Sequence, residues 1–172
     1  MDQLLKAKAG DGRAFEEILA PVLDPAFQLA MTMLDDRAAA EDAVQEAALK
    51  AWRKIGRFRS GADVRPWFLT IVANECRSMR RSSWWRVVRS DEVETRPLPD
   101  PSEVATADRI DLGAALDRLP RRHLLALTLY YHLDLPTDEV ARVLGCSRNA
   151  ARVRIHRAVR ALRPGLAVEV DR

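Results

Sequence analysis

Residues 135–163 read LPTDEVARVLGCSRNAARVRIHRAVRALR, and this stretch decides the fold. Thr137 is placed to cap a first helix, with Asp138 and Glu139 in its opening turn, where negative charge is favoured. Val140, Val143 and Leu144 share one face. Gly145 follows where the chain must turn sharply and a residue with φ > 0 is needed. Ser147 can cap a second helix, on which Ala151, Ile155, Ala158 and Leu162 recur at helical spacing and form a buried side. Arg148, Arg152, His156 and Arg160 recur on another face, with Asn149 at its start. A rigid helix carrying arginines and an amide suits the major groove, where Arg pairs with guanine edges, Asn with adenine, and further Arg with phosphates. A cap, a glycine turn and a basic helix together favour DNA binding over a helical hairpin with a solvated basic face.

The chain has 172 residues, enough for one ordinary domain or two small ones. A hydrophobic fraction of 48% excludes a disordered chain, and a formal net charge of +3 conceals two arginine blocks separated by acids. Cys76 and Cys146 are far apart and form neither a metal-ligand pattern nor a disulfide framework, which fits a reducing cytoplasm. No run approaches the roughly 20 apolar residues of a membrane span, so no membrane insertion is expected. The opening MDQLLKAKAGDGRAF lacks the apolar core of a signal peptide.

Helical periodicity dominates and predicts an all-α chain. Phe15, Ile18, Leu19 and Val22 form a stripe after the start signal Gly10-Asp11-Gly12. Asp24-Pro25 is read as opening a further helix with Phe27, Ala30, Met31 and Leu34 inward. Asp35-Asp36 breaks the pattern and can cap the next, whose buried side is Val44, Ala47, Ala48, Ala51, Trp52 and Ile55. GRFRSGADV, 56–64, is a loop. Pro66 stands near the start of a fourth helix with Trp67, Phe68, Ile71, Val72 and Met79 inward. Residues 89–108, RSDEVETRPLPDPSEVATAD, form a flexible acidic linker, since three prolines forbid a continuous helix. Ile110, Leu112, Ala115, Leu116 and Leu119 then make a short helix ending near Pro120, and Leu124, Leu125, Leu127, Leu129 and Tyr130 another. The expected division is an N-terminal helical domain 1–88, a linker 89–108, a helix-turn-helix domain 109–165 and a tail 166–172.

Two N-terminal constellations remain. In AEDAVQEAALKAW, 40–52, Asp42, Gln45 and Glu46 lie at i, i+3 and i+4 and cluster on one surface. On chemistry alone this is a solvated face, because nothing nearby supplies a nucleophile or an oxyanion site. In RPWFLTIVANECRSMRRSSWWRVVR, 65–89, Asn74, Arg77 and Arg81 lie on the face opposite the core with Arg80 beside them, followed by Trp84, Trp85, Arg86 and Arg89. Cations interleaved with aromatics suit a strand held by its phosphates and stacked on its bases; the alternative for Trp84 and Trp85 is a basic solvated helix end with the tryptophans in the core. His123, His132 and His156 show no HExxH-like spacing, and there is no P-loop or GxSxG. No catalytic residue, metal site or cofactor is therefore expected.

The order of these pieces resembles the extracytoplasmic-function (ECF) sigma factors, the smallest members of the sigma-70 family. Residues 35–58 are similar to the region 2 segment that docks on the polymerase clamp, 65–81 to the segment for the −10 promoter element, and 116–163 to the region 4 domain for the −35 element. The resemblance implies two small helical domains, of region 2 and region 4 type, and an alternative sigma factor that binds RNA polymerase core and directs promoter-specific initiation. It assigns Asp42, Gln45 and Glu46 to the core polymerase. It assigns Asn74 and Arg81, with Arg77 and Arg80 beside them, to the −10 element, and Phe58, Arg59 and Ser60 to a flipped base of the non-template strand. In the region 4 helix Arg152, Arg154, Arg157 and Ala158 fit the family pattern, and together with the basic face read above this makes Arg148, Asn149, Arg152 and His156 the expected contacts to the −35 element. Ser78 stands where the family often has an acid, and Asn149-Ala150-Ala151 replaces the usual Gly-Thr-Val. The acidic linker resembles the segment that runs toward the RNA path. An anti-sigma factor is an implied partner. The competing reading is a helix-turn-helix transcriptional regulator with a helical N-terminal sensor domain, which leaves Asp42, Gln45 and Glu46 without a role.

Overall fold

The computed structural model describes residues 3–87, 115–116 and 118–162, with the backbone alone over 82–87. Every regular element among them is helical: α1 Gln3–Lys8, α2 Gly12–Leu34, α3 Arg37–Lys54, α4 Val64–Val87, α5 Arg121–Leu127, α6 Thr137–Leu144 and α7 Arg148–Leu162. A 3-10 turn, Ile55–Arg57, follows α3, and a π turn, Thr128–His132, follows α5. No described helix is long and apolar enough to cross a membrane.

Asp11 caps α2, its carboxylate accepting from the Ala14 amide at 3.1 Å. The helix expected to begin at Asp24-Pro25 does not exist separately. Pro21 and Pro25 lie inside one continuous α2. A proline there removes a backbone hydrogen bond and crowds the preceding turn. That local cost is offset by one unbroken buried stripe, Phe15, Leu19, Val22, Ala26, Leu29 and Met33, which a break would split. The real stop is Asp35 in the left-handed region (φ 59°), whose amide donates to the Met31 carbonyl. Asp36 then caps α3 through the Ala39 amide at 2.8 Å.

The buried side of α3 is a seam of alanines, Ala40, Ala43, Ala47 and Ala51, all at 0% exposure. Small side chains let α3 lie close to both α2 and α4, which it contacts along its length. Val44, Ala48 and Trp52 are only half-buried at the seam's edge. Helix α4 starts at Val64, and Asp63 accepts from the Arg65 amide at 2.9 Å in its opening turn. It places Phe68, Leu69, Val72 and Cys76 in the centre of the core. Lys50 on α3 pairs with the largely buried carboxylate of Glu75 on α4. Phe15 and Trp52 meet edge-on at 5.1 Å.

In the C-terminal half, Leu125, Ala126, Leu129, Val140, Val143, Ala151, Ile155 and Ala158 are the buried side chains that join α5, α6 and α7. Gly145 takes φ 64° and closes α6, and Ser147 caps α7 through the Ala150 amide at 3.2 Å. Thr137, expected as the cap of α6, is instead its first residue. It makes no side-chain cap and is 3% exposed, while Pro136 precedes the helix with its fixed φ. Of the short helix expected before Pro120, Ala115 and Leu116 are helical and Leu119 is buried; Ile110 and Leu112 lie outside the described residues, as do the linker 89–108 and the tail 166–172.

The two halves are packed together. Helix α6 lies against α4, and α5 against α2. Arg65 donates to the Leu133 carbonyl at 3.1 Å and Arg77 to the Val143 carbonyl. Arg121 binds the Asp35 carboxylate at the C-terminal end of α2. His132 Nε2 and Gln28 Oε1 are 2.6 Å apart. Apart from Leu119 and Ala158, the buried apolar side chains of both halves form one continuous cluster among the described residues.

Candidate nucleic-acid interface and polymerase-docking face

Helix α7 buries Ala151, Ile155 and Ala158. At 100° per residue the side opposite centres on Asn149, Val153 and Arg160, flanked by Arg152, His156 and Arg157. All are exposed except His156, which is half-buried. Arg148, expected on this face, instead turns toward α6, where its Nε lies 3.1 Å from Asp138 Oδ1 in an exposed pair. Such an exposed pair contributes little to stability, and it draws the Arg148 side chain to the edge of the α7 outer face. Arg157 and Val153 were absent from the expected contacts. Their signal was available in the sequence, since Val153 and Arg157 lie four and eight residues after Asn149 and so share its side of the helix.

On α4, Asn74, Arg80 and Arg81 are exposed. Asn74 and Arg81 line an open cleft of about 470 Å³ between α3 and α4, with Lys50, Arg53, Lys54 and Ser78. Arg77 is not on the free face that helical spacing predicts. It is half-buried under the helix-turn-helix turn, donating to Asn74 Oδ1 at 2.7 Å and to the Val143 carbonyl. A Cβ on Gly145 would stand 3.8 Å from its guanidinium. Burial, then the nearby cations Arg81 and Arg154, lower its proton affinity. Trp84, Trp85 and Arg86 lie on a helical backbone, but their side chains are outside the described residues, as is Arg89.

In the loop, Arg59 and Ser60 are exposed, and Lys8 reaches Ser60 Oγ at 3.5 Å. Phe58, expected beside them as a contact to an extruded base, is 7% exposed and packs on Trp67 at 4.7 Å. It is the loop's anchor: the apolar ring gains more from the core than a position in water would return.

Asp42, Gln45 and Glu46 are all exposed on one side of α3, as their spacing requires. Beside them runs an apolar groove of about 350 Å³ between α2 and α3, lined by Phe15, Leu19, Leu23, Gln45, Leu49 and Trp52. Leu49 is 46% exposed, four residues after Gln45 and seven after Asp42, so the acidic-amide face continues into an apolar one. Among the described residues no three His, Cys, Asp or Glu side chains gather to hold a metal ion.

His123, on α5, is half-buried and its pKa is lowered, first by burial and then by Arg122, Arg157 and Arg154. The unfolded chain therefore takes up this proton more readily than the folded one, and stability falls as pH drops through the ordinary histidine range near ~6.5. His123→Gln, which cannot protonate, is expected to flatten the acid limb of a urea-midpoint profile between pH 7 and 5. An unchanged limb would remove His123 from the acid response.

These features have counterparts in known proteins. The sigma-70 region 2 family matches residues 19–86, and the sigma-70 region 4 family matches residues 109–162. The ECF RNA polymerase sigma factor SigL of Mycobacterium tuberculosis is 34% identical over 91% of this chain and 89% of its own. The chain belongs to the ECF sigma factors of the sigma-70 family. It is an alternative sigma factor that directs transcription initiation, through sigma domains that bind RNA polymerase core and promoter DNA. The regulator with a sensor domain is not favoured, since region 2 accounts for the N-terminal half. A probable RNA polymerase sigma factor, RfaY of Xanthomonas campestris, is 29% identical over 98% of this sigma factor, which spans 44% of that protein's length. The solved structure of the Bartonella quintana sigma factor RpoE, in complex with the anti-sigma factor NepR, superposes with a TM-score of 0.70 at 28% identity, covering 87% of this sigma factor and 94% of that chain.

Proposed function

We propose that this sigma factor divides promoter recognition between its halves along the surfaces described above. Helix α7 enters the major groove of the −35 element with Asn149, Arg152 and His156, Arg148 standing at its margin. Asn74, Arg80 and Arg81 receive the −10 strand along the α3–α4 cleft, with Arg59 and Ser60 at its loop and Phe58 supporting that loop from behind. Arg77 joins them once the Val143 contact is released. Asp42, Gln45 and Glu46 bind the polymerase core. The observation that carries this reading is the exposure pattern of α7: its apolar side is sealed while an amide and three arginines face out. On this reading the chain performs no catalysis of its own and works in the cytoplasm beside its polymerase. An anti-sigma factor is its inhibitor; the RpoE–NepR pair supports this by the similarity of fold. The domain limits 1–88, 89–108, 109–165 and 166–172 follow the same division.

The test is reconstitution. Asp42→Ala together with Gln45→Ala is expected to weaken core binding about tenfold or more, as loss of two contacts near an interface centre does. Co-purification with core polymerase reads this directly. Undiminished association would withdraw the face from the polymerase. In vitro transcription with the reconstituted enzyme on a genomic library tests promoter dependence in the same preparation.

A further inference from the structure

Val153 is a large apolar side chain that α7 leaves 38% exposed, and it sits among cations. Asn149 lies one turn before it and Arg157 one turn after, with Arg152 and His156 at its flanks. Packing does not account for it, because the core side of the helix is filled by Ala151, Ile155 and Ala158. Helix propensity does not account for it either, since a β-branched residue in an exposed helix interior is less favourable than alanine. What valine supplies is a methyl pair held in essentially one χ1 rotamer, so little freedom is lost when a partner covers it.

Base edges in the major groove offer one apolar group, the C5 methyl of thymine. We propose that Val153 is a specificity-determining residue, packing on a thymine C5 methyl in the duplex element that α7 reads; this rests on the reading of α7 given above. Four residues of helix advance by about 6 Å, close to two base-pair steps at about 3.4 Å each. The thymine therefore lies within about two base pairs of the pair met by Asn149. Charge favours DNA as the occupant: an apolar protein ridge would have to bury Arg152 and Arg157 beside Val153, whereas the duplex neutralises both with phosphates.

The experiment uses enzyme reconstituted from core polymerase and the full chain. The upstream element is first selected from a randomised duplex library. The winning duplex is then remade with each thymine in turn replaced by uracil, which keeps pairing and the O4 acceptor and removes only the methyl. At one position uracil is expected to weaken binding by the wild-type enzyme about fourfold, the effect of one buried methyl-sized group. Enzyme carrying Val153→Ala is expected to lose that sensitivity and keep its response to base changes elsewhere. Alanine is a better helix former than valine, so the variant folds. Equal uracil penalties in both enzymes at every thymine, or no penalty at any, overturn the assignment. Asn149→Ala and Arg152→Ala separate the two levels. If they abolish the selected preference while uracil and Val153→Ala do nothing, only the role of Val153 falls. If they too change nothing, duplex reading by α7 falls with it.

Discussion

Phe68→Ala is expected to lower the unfolding free energy by about 3–5 kcal/mol, the largest stability effect of any single change considered. Phe68 is the bulkiest of the fully buried side chains, at 0% exposure on the central helix α4. Truncation removes its transfer free energy and leaves a cavity. The cavity cannot easily collapse, because α2, α3 and α4 are in mutual contact and already carry small buried residues, Ala26 and Ala30 on α2 and Ala43 and Ala47 on α3. For a domain with about 5–15 kcal/mol in total, most of the margin would be gone. Urea denaturation followed by far-ultraviolet dichroism measures the loss. A change under about 1 kcal/mol would mean that α4 does not sit at the centre of this core. Because the apolar cluster runs on into the C-terminal half, the transition of α6 and α7 should move with it.

Arg77→Ala is expected to shift the balance between packed and separated halves by about tenfold toward separation. The guanidinium donates to the Val143 carbonyl near the C-terminal end of α6 and to Asn74 on its own helix. A hydrogen bond from a charged donor contributes about 1.5–3 kcal/mol, and the lower figure applies here because Arg77 is only half-buried. That is roughly one decade in an equilibrium constant. Lysine would not restore the contact, since a single ammonium cannot reproduce the forked geometry that reaches both acceptors. Small-angle scattering of the free chain reads the change as a larger radius of gyration; an unaltered profile would show that the apolar contacts, with the Arg65, Arg121 and His132 contacts, hold the halves together without Arg77. On the proposed reading Arg77 also receives the −10 strand, so its substitution should act twice. It would loosen the free chain and separately weaken promoter opening by the assembled enzyme, and the two are told apart by measuring each.

Much of the fold was legible in sequence because the signals are local. Asp11, Asp36, Ser147 and Gly145 are cap and turn residues whose chemistry works within four residues, and each is where the pattern put it. The apolar stripe of α7 and most of that of α4 follow from helical period alone, whereas α3 turns Ala40 and Ala43 inward and leaves Val44, Ala48 and Trp52 at the edge. Asp24-Pro25 misled because a proline's local cost is visible in sequence and the buried stripe that offsets it is not. Phe58 misled in a similar way: a loop aromatic beside Arg59 and Ser60 reads as a binding residue until Trp67 is seen against it.

Arg77 and Arg148 mark the boundary most clearly. Spacing put both on free cationic faces, yet one is engaged by a carbonyl 66 positions away and the other by an acid on the neighbouring helix. The caps at Asp11, Asp36 and Ser147, the turn at Gly145 and the buried side of α7 follow from sequence, because periodicity and short-range hydrogen bonding are properties of neighbouring residues, while the family follows from the resemblance of residues 35–58, 65–81 and 116–163. Which charged groups remain free, and that the two halves share one core, emerge only in the folded chain. Those depend on contacts between residues far apart in the chain, where a carbonyl at a helix end or an alanine seam supplies a partner that no local pattern contains.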